Sequence, residues 1–287
     1  MDLDIVVTLG DVIDQNSSSV GHKAGRRYER RARGFFEHLD GTGVPVITIP
    51  GDRDPLETTR RLTQGLDNVV LAHGGVVTEA DVPAGVDLGG VSLVGDGCET
   101  EDAGMVLPYT EFGPVDPRTT TNEDTIAYVA DDVADQVEAA AGGYLAGNLS
   151  VDDVGDELGV HRSARTELAA YLDQLTGKYR VTKELLASAR GNTIALSHRP
   201  PFNTSLDYYE SFDTLDDRLH LGSLPLKMAI ATERPILTLC GHVHESGTDV
   251  IETVNGRSLA FNPGRPGVAV VELDLDGGAV NVESPSF

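Results

Sequence analysis

The stretch Leu237–Gly247, LTLCGHVHESG, decides how this chain is read. An apolar run stops at Gly241, and His242 and His244 follow with one valine between them. In an extended chain, residues two apart point to the same side, so both imidazoles are expected to face one point, as ligands of a metal ion do. Two solvent-exposed histidines can also fall this close with no ligand between them. The pair therefore needs support from elsewhere in the sequence.

Three further runs supply it. DIVVTL leads to Gly10 and Asp11, VPVITIP leads to Gly51 and Asp52, and TIAL leads to Ser197 and His198. Continuous apolar runs rich in β-branched residues read as buried strands. In open α/β sheets, ligands gather beyond the carboxyl ends of strands, so four such ends can share one crevice. The expected fold class is therefore α/β. Carboxylate oxygen and imidazole nitrogen suit Mn, Fe or Zn.

Between the strands, residues 23–39 read as a helix with Phe35, Phe36 and Leu39 on its apolar side and Gly41 and Gly43 as stop signals. Residues 69–95 read as short strands joined by Gly and Pro turns. From about Asn122 to Arg190 the composition turns to Ala, Asp, Glu and Leu at helical spacing, which reads as a helical insertion (122–190) within one domain spanning 1–287. Beyond His244, Asn255-Gly256 and Asp276-Gly277 are hairpin signals.

The chain has 287 residues, 40% of them hydrophobic, enough to bury a proper core. It contains no run near the roughly 20 apolar residues of a membrane span. The charged opening MDLD before IVVTL lacks the form of a secretory signal, so a cytoplasmic location is expected. Cys98 and Cys240 are too few for a disulfide framework. There are 46 acidic and 22 basic residues, a formal net charge of −24, with only Lys23, Lys178, Lys183 and Lys227 as lysines. Such a surface repels nucleic acid and anionic membranes. It is similar to the surfaces of proteins from salt-loving microbes; the alternative is an ordinary acidic protein.

Taken together, GDVID at 10–14, GDRD at 51–54, SHRPP at 197–201, GHVH at 241–244 and NPGR at 262–265 resemble the calcineurin-like metallophosphoesterases in order and approximate spacing. The resemblance implies a four-layer αββα sandwich and metal-dependent hydrolysis of phosphoesters, with a small phosphoester or a nucleotide as ligand. It implies Asp11 as the carboxylate bridging two ions, with Asp52, His198 and His242 completing one ion and His244 serving the other. Asp11, Asp52, Arg53 and His198 then form the catalytic centre. Two ions can clamp a phosphate, activate water and stabilise both the attacking and leaving oxygens.

The chain departs from the family pattern twice. GDRD stands where the family has GNH and an acidic residue, which places Asp52 at an asparagine ligand's position and Arg53 at the catalytic histidine's. Arginine neutralises phosphate charge but delivers no proton at neutral pH. The family also begins with a strand and a DxH motif ahead of GD, whereas here GD begins at Gly10. A strand, a DxH motif and a helix are therefore expected to precede Met1 in the gene, or to have been lost along with activity. Without them one ion position keeps only Asp11 and His244, and the chain is expected to hold one ion where the family holds two. The alternative reading is a catalytically weak relative that binds a phosphorylated ligand or a protein partner.

Other features read as structural. Arg26, Arg30 and Arg33 in RRYERRAR form a solvated helix face paired with carboxylates. The helix-turn-helix rhythm from Val151 is crowded by Asp152, Asp153, Asp156 and Glu157, which would repel a phosphate backbone. His22, His38, His73, His161 and His220 lie outside the motifs and read as structural or exposed.

If the acidic surface is a salt adaptation, the thermal midpoint should rise as KCl goes from dilute buffer to molar concentration, because the screening length shrinks to about 3 Å at 1 M. A midpoint flat across that range would leave the ordinary acidic reading in its place.

Overall fold

Strands buried on both faces need apolar residues on both faces, and the chain supplies them in the runs quoted above. The computed structural model describes residues 3–13, 22–97, 129–209, 219–254, 256–265, 267–275 and 279–283. The first half comprises β1 (Val6–Thr8), α1 (His22–Asp40), β2 (Val46–Thr48), α2 (Leu56–Thr63), β3 (Val69–Leu71), β4 (Gly75–Val77), β5 (Val91–Asp96), β6 (Val129–Ala130) and α3 (Asp131–Leu145). There follow α4 (Val151–Glu157), α5 (Arg165–Ser188), β7 (Asn192–Ser197), β8 (Tyr208–Tyr209), β9 (Leu219–His220), α6 (Leu224–Glu233) and β10 (Leu237–Leu239). The chain ends with β11 (Gly247–Thr253), β12 (Gly256–Asn262), β13 (Val270–Asp274) and β14 (Ala279–Glu283).

The result is mixed α/β. One sheet is β1-β2-β3, parallel throughout. The second runs β11-β12-β10-β7-β5-β4, with a parallel centre and antiparallel edges at β11 and β4. Burial follows the period of two. On β2, Val46 packs with Ala32 and Phe36 of α1 and Leu62 of α2, while Ile47 joins Leu93, Ile194, Leu196, Leu237 and Phe261 of the larger sheet. On β5, Leu93 belongs to that shared cluster, and Val94 packs instead with Leu186 of α5 and Ala229 of α6. Each such side chain contributes about 1.5–3 kcal/mol when fully buried.

Several local expectations meet the structure in detail. In α1, Phe36 is fully buried and Leu39 half-buried, but Phe35 is 42% exposed. Adjacent helical residues lie about 100° apart, so only one of the pair can face the core. Arg33 donates to the carbonyls of Leu62 and Gln64 at the end of α2 and pairs with Glu37, while Arg61 pairs with Glu29. Arg26's side chain lies outside the described residues. The hairpin β11–β12 pairs Thr253 with Gly256, and β13–β14 pairs Asp274 with Ala279; Asn255, Asp276 and Gly277 lie outside the described residues. So do Cys98 and the beginning of the helical segment, 122–128. The last helix of that segment, α5, also covers the larger sheet, where Lys178 and Thr182 donate to Asp96 at the end of β5. Among the described residues, no helix is long and apolar enough to cross a membrane.

His220, on β9, is buried at 1% exposure between two carboxylates. Its Nδ1 lies 2.8 Å from Asp207 Oδ1 and its Nε2 3.2 Å from Asp131 Oδ1. Asp207 is itself buried and accepts the backbone N–H groups of Asn203, Thr204 and Gly222. This clamp ties the loop after Pro200–Pro201 to the start of α3. Burial alone would lower the His220 pKa, but the two aspartates outweigh it and raise it above the usual histidine value.

A raised histidine pKa gives stability that is present below the unfolded value and lost as pH rises through the folded one. His220→Gln should therefore lower stability by about 1.5–3 kcal/mol near pH 6, the worth of hydrogen bonds to charged groups. The gap between wild type and variant should shrink at higher pH. Denaturant titrations at several pH values check this, and a gap that grows above neutrality would count against the clamp.

Candidate metal centre

The centre begins where β1 and β2 end. Their loops approach so closely that neither Gly10 nor Gly51 has room for a side chain. A Cβ on Gly51 would overlap the backbone nitrogen and Oδ1 of Asp11, and one on Gly10 would overlap the Gly51 backbone and lie 2.8 Å from His198 Nδ1. Gly10 also has φ 96°, and Asp11 follows at φ 58°. A left-handed non-glycine residue costs roughly 1–2 kcal/mol, and such strain collects at functional sites.

Asp54 holds the two loops together. It is 1% exposed; Oδ1 accepts the N–H of Ile13 at 2.8 Å, and Oδ2 accepts those of Val12 and Gly51 at 3.1 Å. Asp11 Oδ1 in turn accepts the backbone N–H of Arg53 at 3.2 Å. The two loops are thus cross-linked in both directions.

The larger sheet contributes the histidines. His198, directly after β7, is 2% exposed, and its Nδ1 donates to the carbonyl of Leu9 at 2.7 Å. That bond assigns the tautomer and turns Nε2 toward Asp52 Oδ1 at 3.2 Å and His242 Nδ1 at 3.3 Å. Beyond β10, the N–H of Gly241 bonds to the His198 carbonyl, and His242 takes φ 67°. Its Nδ1 lies 3.6 Å from Asp52 Oδ2. One ligand atom from each of Asp52, His198 and His242 falls within 4.8 Å of the other two. One carboxylate and two imidazoles are a suitable donor set for Mn, Fe or Zn. A histidine whose second nitrogen donates to a backbone carbonyl is oriented as metal ligands are. The residues present fit a divalent ion.

Charge within the group is divided unevenly. For Asp52, burial works to raise the pKa, but hydrogen bonds to His198 and His242 and their charge hold it well below the usual carboxylate range. Burial would lower His198, yet Asp52 and Asp11 raise it. His242 is pushed down to about 4, mainly by burial and further by the nearby positive charge of Arg199, against its bond to Asp52. Asp11 is pushed up to about 6 by burial and by Asp52 and Asp54, against the attraction of His198.

The remaining site residues expected from sequence fall around this group. Asp11 Oδ1 stands 3.7 Å from His198 Nε2, beside the group of three and outside it. Arg53 is exposed, one residue from Asp52. His244 is also exposed, while Val243 between the two histidines is buried. The extended chain assumed for His242 and His244 is not what carries them: the strand has already ended at Leu239 and the chain turns at His242. Asp54 was visible in GDRD only as the motif's last letter. Its role depends on loops 41 and 42 residues apart meeting in space.

No family model matches this sequence, and no curated protein matches it. Among solved structures, the chain is similar to the sulfate thiohydrolase SoxB of Termus thermophilus in complex with glycerol, at 14% identity and a TM-score of 0.38. The match covers 98% of this chain and 38% of that one, so this chain spans less than two fifths of that protein's length.

Asp54→Ala removes the acceptor for three backbone N–H groups and should cost about 2–5 kcal/mol, since each buried unpaired donor costs about 1–3 kcal/mol. Asp54→Asn keeps one acceptor oxygen and should lose less. Urea unfolding measures both, and a wild-type midpoint for Asp54→Ala would refute the role given to this carboxylate.

Proposed function

We propose that this chain is a metal-dependent hydrolase of phosphoester bonds. The observation that carries the reading is the convergence of Asp52, His198 and His242, delivered by three separate strand ends, with the His198 tautomer set by Leu9. The apolar clusters support an αββα order: α1 and α2, the three-stranded sheet, the six-stranded sheet, then α5 and α6. The chain also carries GDVID, SHRPP, GHVH and NPGR, the motifs on which the resemblance to calcineurin-like phosphoesterases rests.

Asp52, His198 and His242 would hold one divalent ion, Mn, Fe or Zn, which supplies Lewis-acid polarisation of a phosphoryl oxygen and activation of water. The chain's own residues orient and balance charge. Asp54 and the Leu9 carbonyl fix the ligands' positions before anything binds, so little reorganisation is needed later. Arg199, buried beside His242, and Arg53, at the surface next to Asp52, bring permanent positive charge to a place where phosphoryl oxygens carry negative charge. Arg53 cannot act as a proton donor, so the leaving group takes its proton from water or leaves as a stable anion. The proposal is for one ion, because among the described residues the ligand atoms of Asp52, His198 and His242 are the ones that converge.

Arg53 also favours a second reading, in which the centre binds a phosphorylated ligand and turns it over weakly or not at all. One experiment separates the two. Purified chain loaded with Mn²⁺ should hydrolyse an aryl phosphate mono- or diester, and a chelator should abolish the rate. His198→Ala and His242→Ala should lower both metal content and rate by at least about 100-fold, the upper end of what losing even an outer-shell partner costs. Metal and phosphate binding without turnover would select the binding reading. Equal metal content in wild type and His242→Ala would reject both.

A further inference from the structure

The NPGR stretch, Asn262–Arg265, takes no part in the ligand set, yet it is built around His242. β12 runs parallel beside β10, with Phe261 opposite Leu239 and the Phe261 carbonyl accepting the N–H of Cys240. Asn262 therefore emerges alongside Cys240, one residue before Gly241. It is 1% exposed. Its Nδ2 donates to the carbonyl of Gly241 at 3.3 Å and to that of Val243 at 2.9 Å, the two residues flanking His242. Its Oδ1 accepts the N–H of Gly264 at 2.9 Å, which settles which end of the carboxamide faces the carbonyls.

The turn so held is a strained one. The N–H of Val243 bonds to the carbonyl of Gly241 at 2.8 Å across His242, whose φ is 67°. A bond between residues two apart over a positive φ belongs to the rare form of γ-turn, which persists only where the surroundings enforce it. Two further contacts brace the same loop: Arg265 donates its N–H to the His244 carbonyl at 2.8 Å, and Gly264 at φ 75° lies so close to His244 and Ser246 that a Cβ would reach within 2.9 Å of the His244 carbonyl.

We infer that Asn262 is a positioning residue that sets the metal affinity of the centre by holding His242 in its strained turn, an inference that rests on the metal-site reading above. Only a carboxamide offers two N–H groups from one nitrogen to the two carbonyls while accepting a third bond. Aspartate would set a carboxylate against both carbonyls, alanine would release both, and serine could reach one. Without the clamp the His242 imidazole no longer waits at the place where Asp52 and His198 need it.

The test is titration of Co²⁺ into metal-free protein, read by the visible absorption of the bound ion, with a thermal melt of each metal-free variant. Ser258→Ala is the control: Ser258 lies on the same strand, is fully buried, and donates to the Pro235 carbonyl away from the centre. Asn262→Ala and Asn262→Asp should bind Co²⁺ at least about tenfold more weakly, as loss of an outer-shell partner does, with a changed absorption band. Ser258→Ala should lose stability but keep wild-type affinity and band. If neither Asn262 variant folds, Asn262→Ser, which retains one donor, should give an intermediate affinity. Wild-type affinity and absorption in the folded Asn262 variants, or equal weakening by Ser258→Ala, would overturn the inference alone, provided His242→Ala has lost the ion. No Co²⁺ uptake by wild type, or uptake unchanged by His242→Ala, would overturn the metal-site reading and this inference together.

Discussion

The buried carboxylate of Asp54 is the constraint on which the centre depends. A charged group at 1% exposure is tolerable only if its oxygens are satisfied, and three backbone N–H groups from two loops satisfy them. Those bonds draw the ends of β1 and β2 so close that Gly10 and Gly51 can carry no side chain. Asp11 and Asp52 are thereby placed together at the carboxyl end of the small sheet. His198 then closes the gap to the larger sheet by donating to Leu9.

The same solution recurs at Asp207, which is buried, accepts three backbone N–H groups and also binds His220. In both places, an aspartate organises an irregular loop that follows a strand, and a histidine joins that loop to another part of the chain. The difference lies in what remains available. His220 has both ring nitrogens within hydrogen-bond reach of carboxylates, whereas His198 Nε2 faces Asp52 and His242 across a space that suits an ion. At the His198 site ligand atoms from three strand ends converge, which the Asp207 clamp does not offer.

Much of this was legible in the sequence because parallel strands require apolar runs, and such runs end visibly. The ends at Gly10, Gly51, Ser197 and Gly241 can be read directly, as can the hairpin at Asn255-Gly256. Phe35 is less legible. Periodicity says which residues can share a face, but Phe35 sits one step off the buried face of its helix, and beyond the end of β10 at Leu239 strand alternation no longer says which way His242 and His244 point.

Residue types and their order determined the donor set, because a strand that stops at glycine before aspartate or histidine exposes a ligand whatever its neighbours are. They also determined the acidic surface, with 46 carboxylates against 22 basic groups. The tertiary structure alone decided which donors meet. Asp52, His198 and His242 come together because β2, β7 and β10 end near one another, while Asp11 stands just outside the group and His244 is exposed. It also decided that Asp54 and Asn262 are braces for others. A hydrogen bond between residues about 20 or 40 positions apart leaves no periodic trace in sequence, since it exists only once the loops have met.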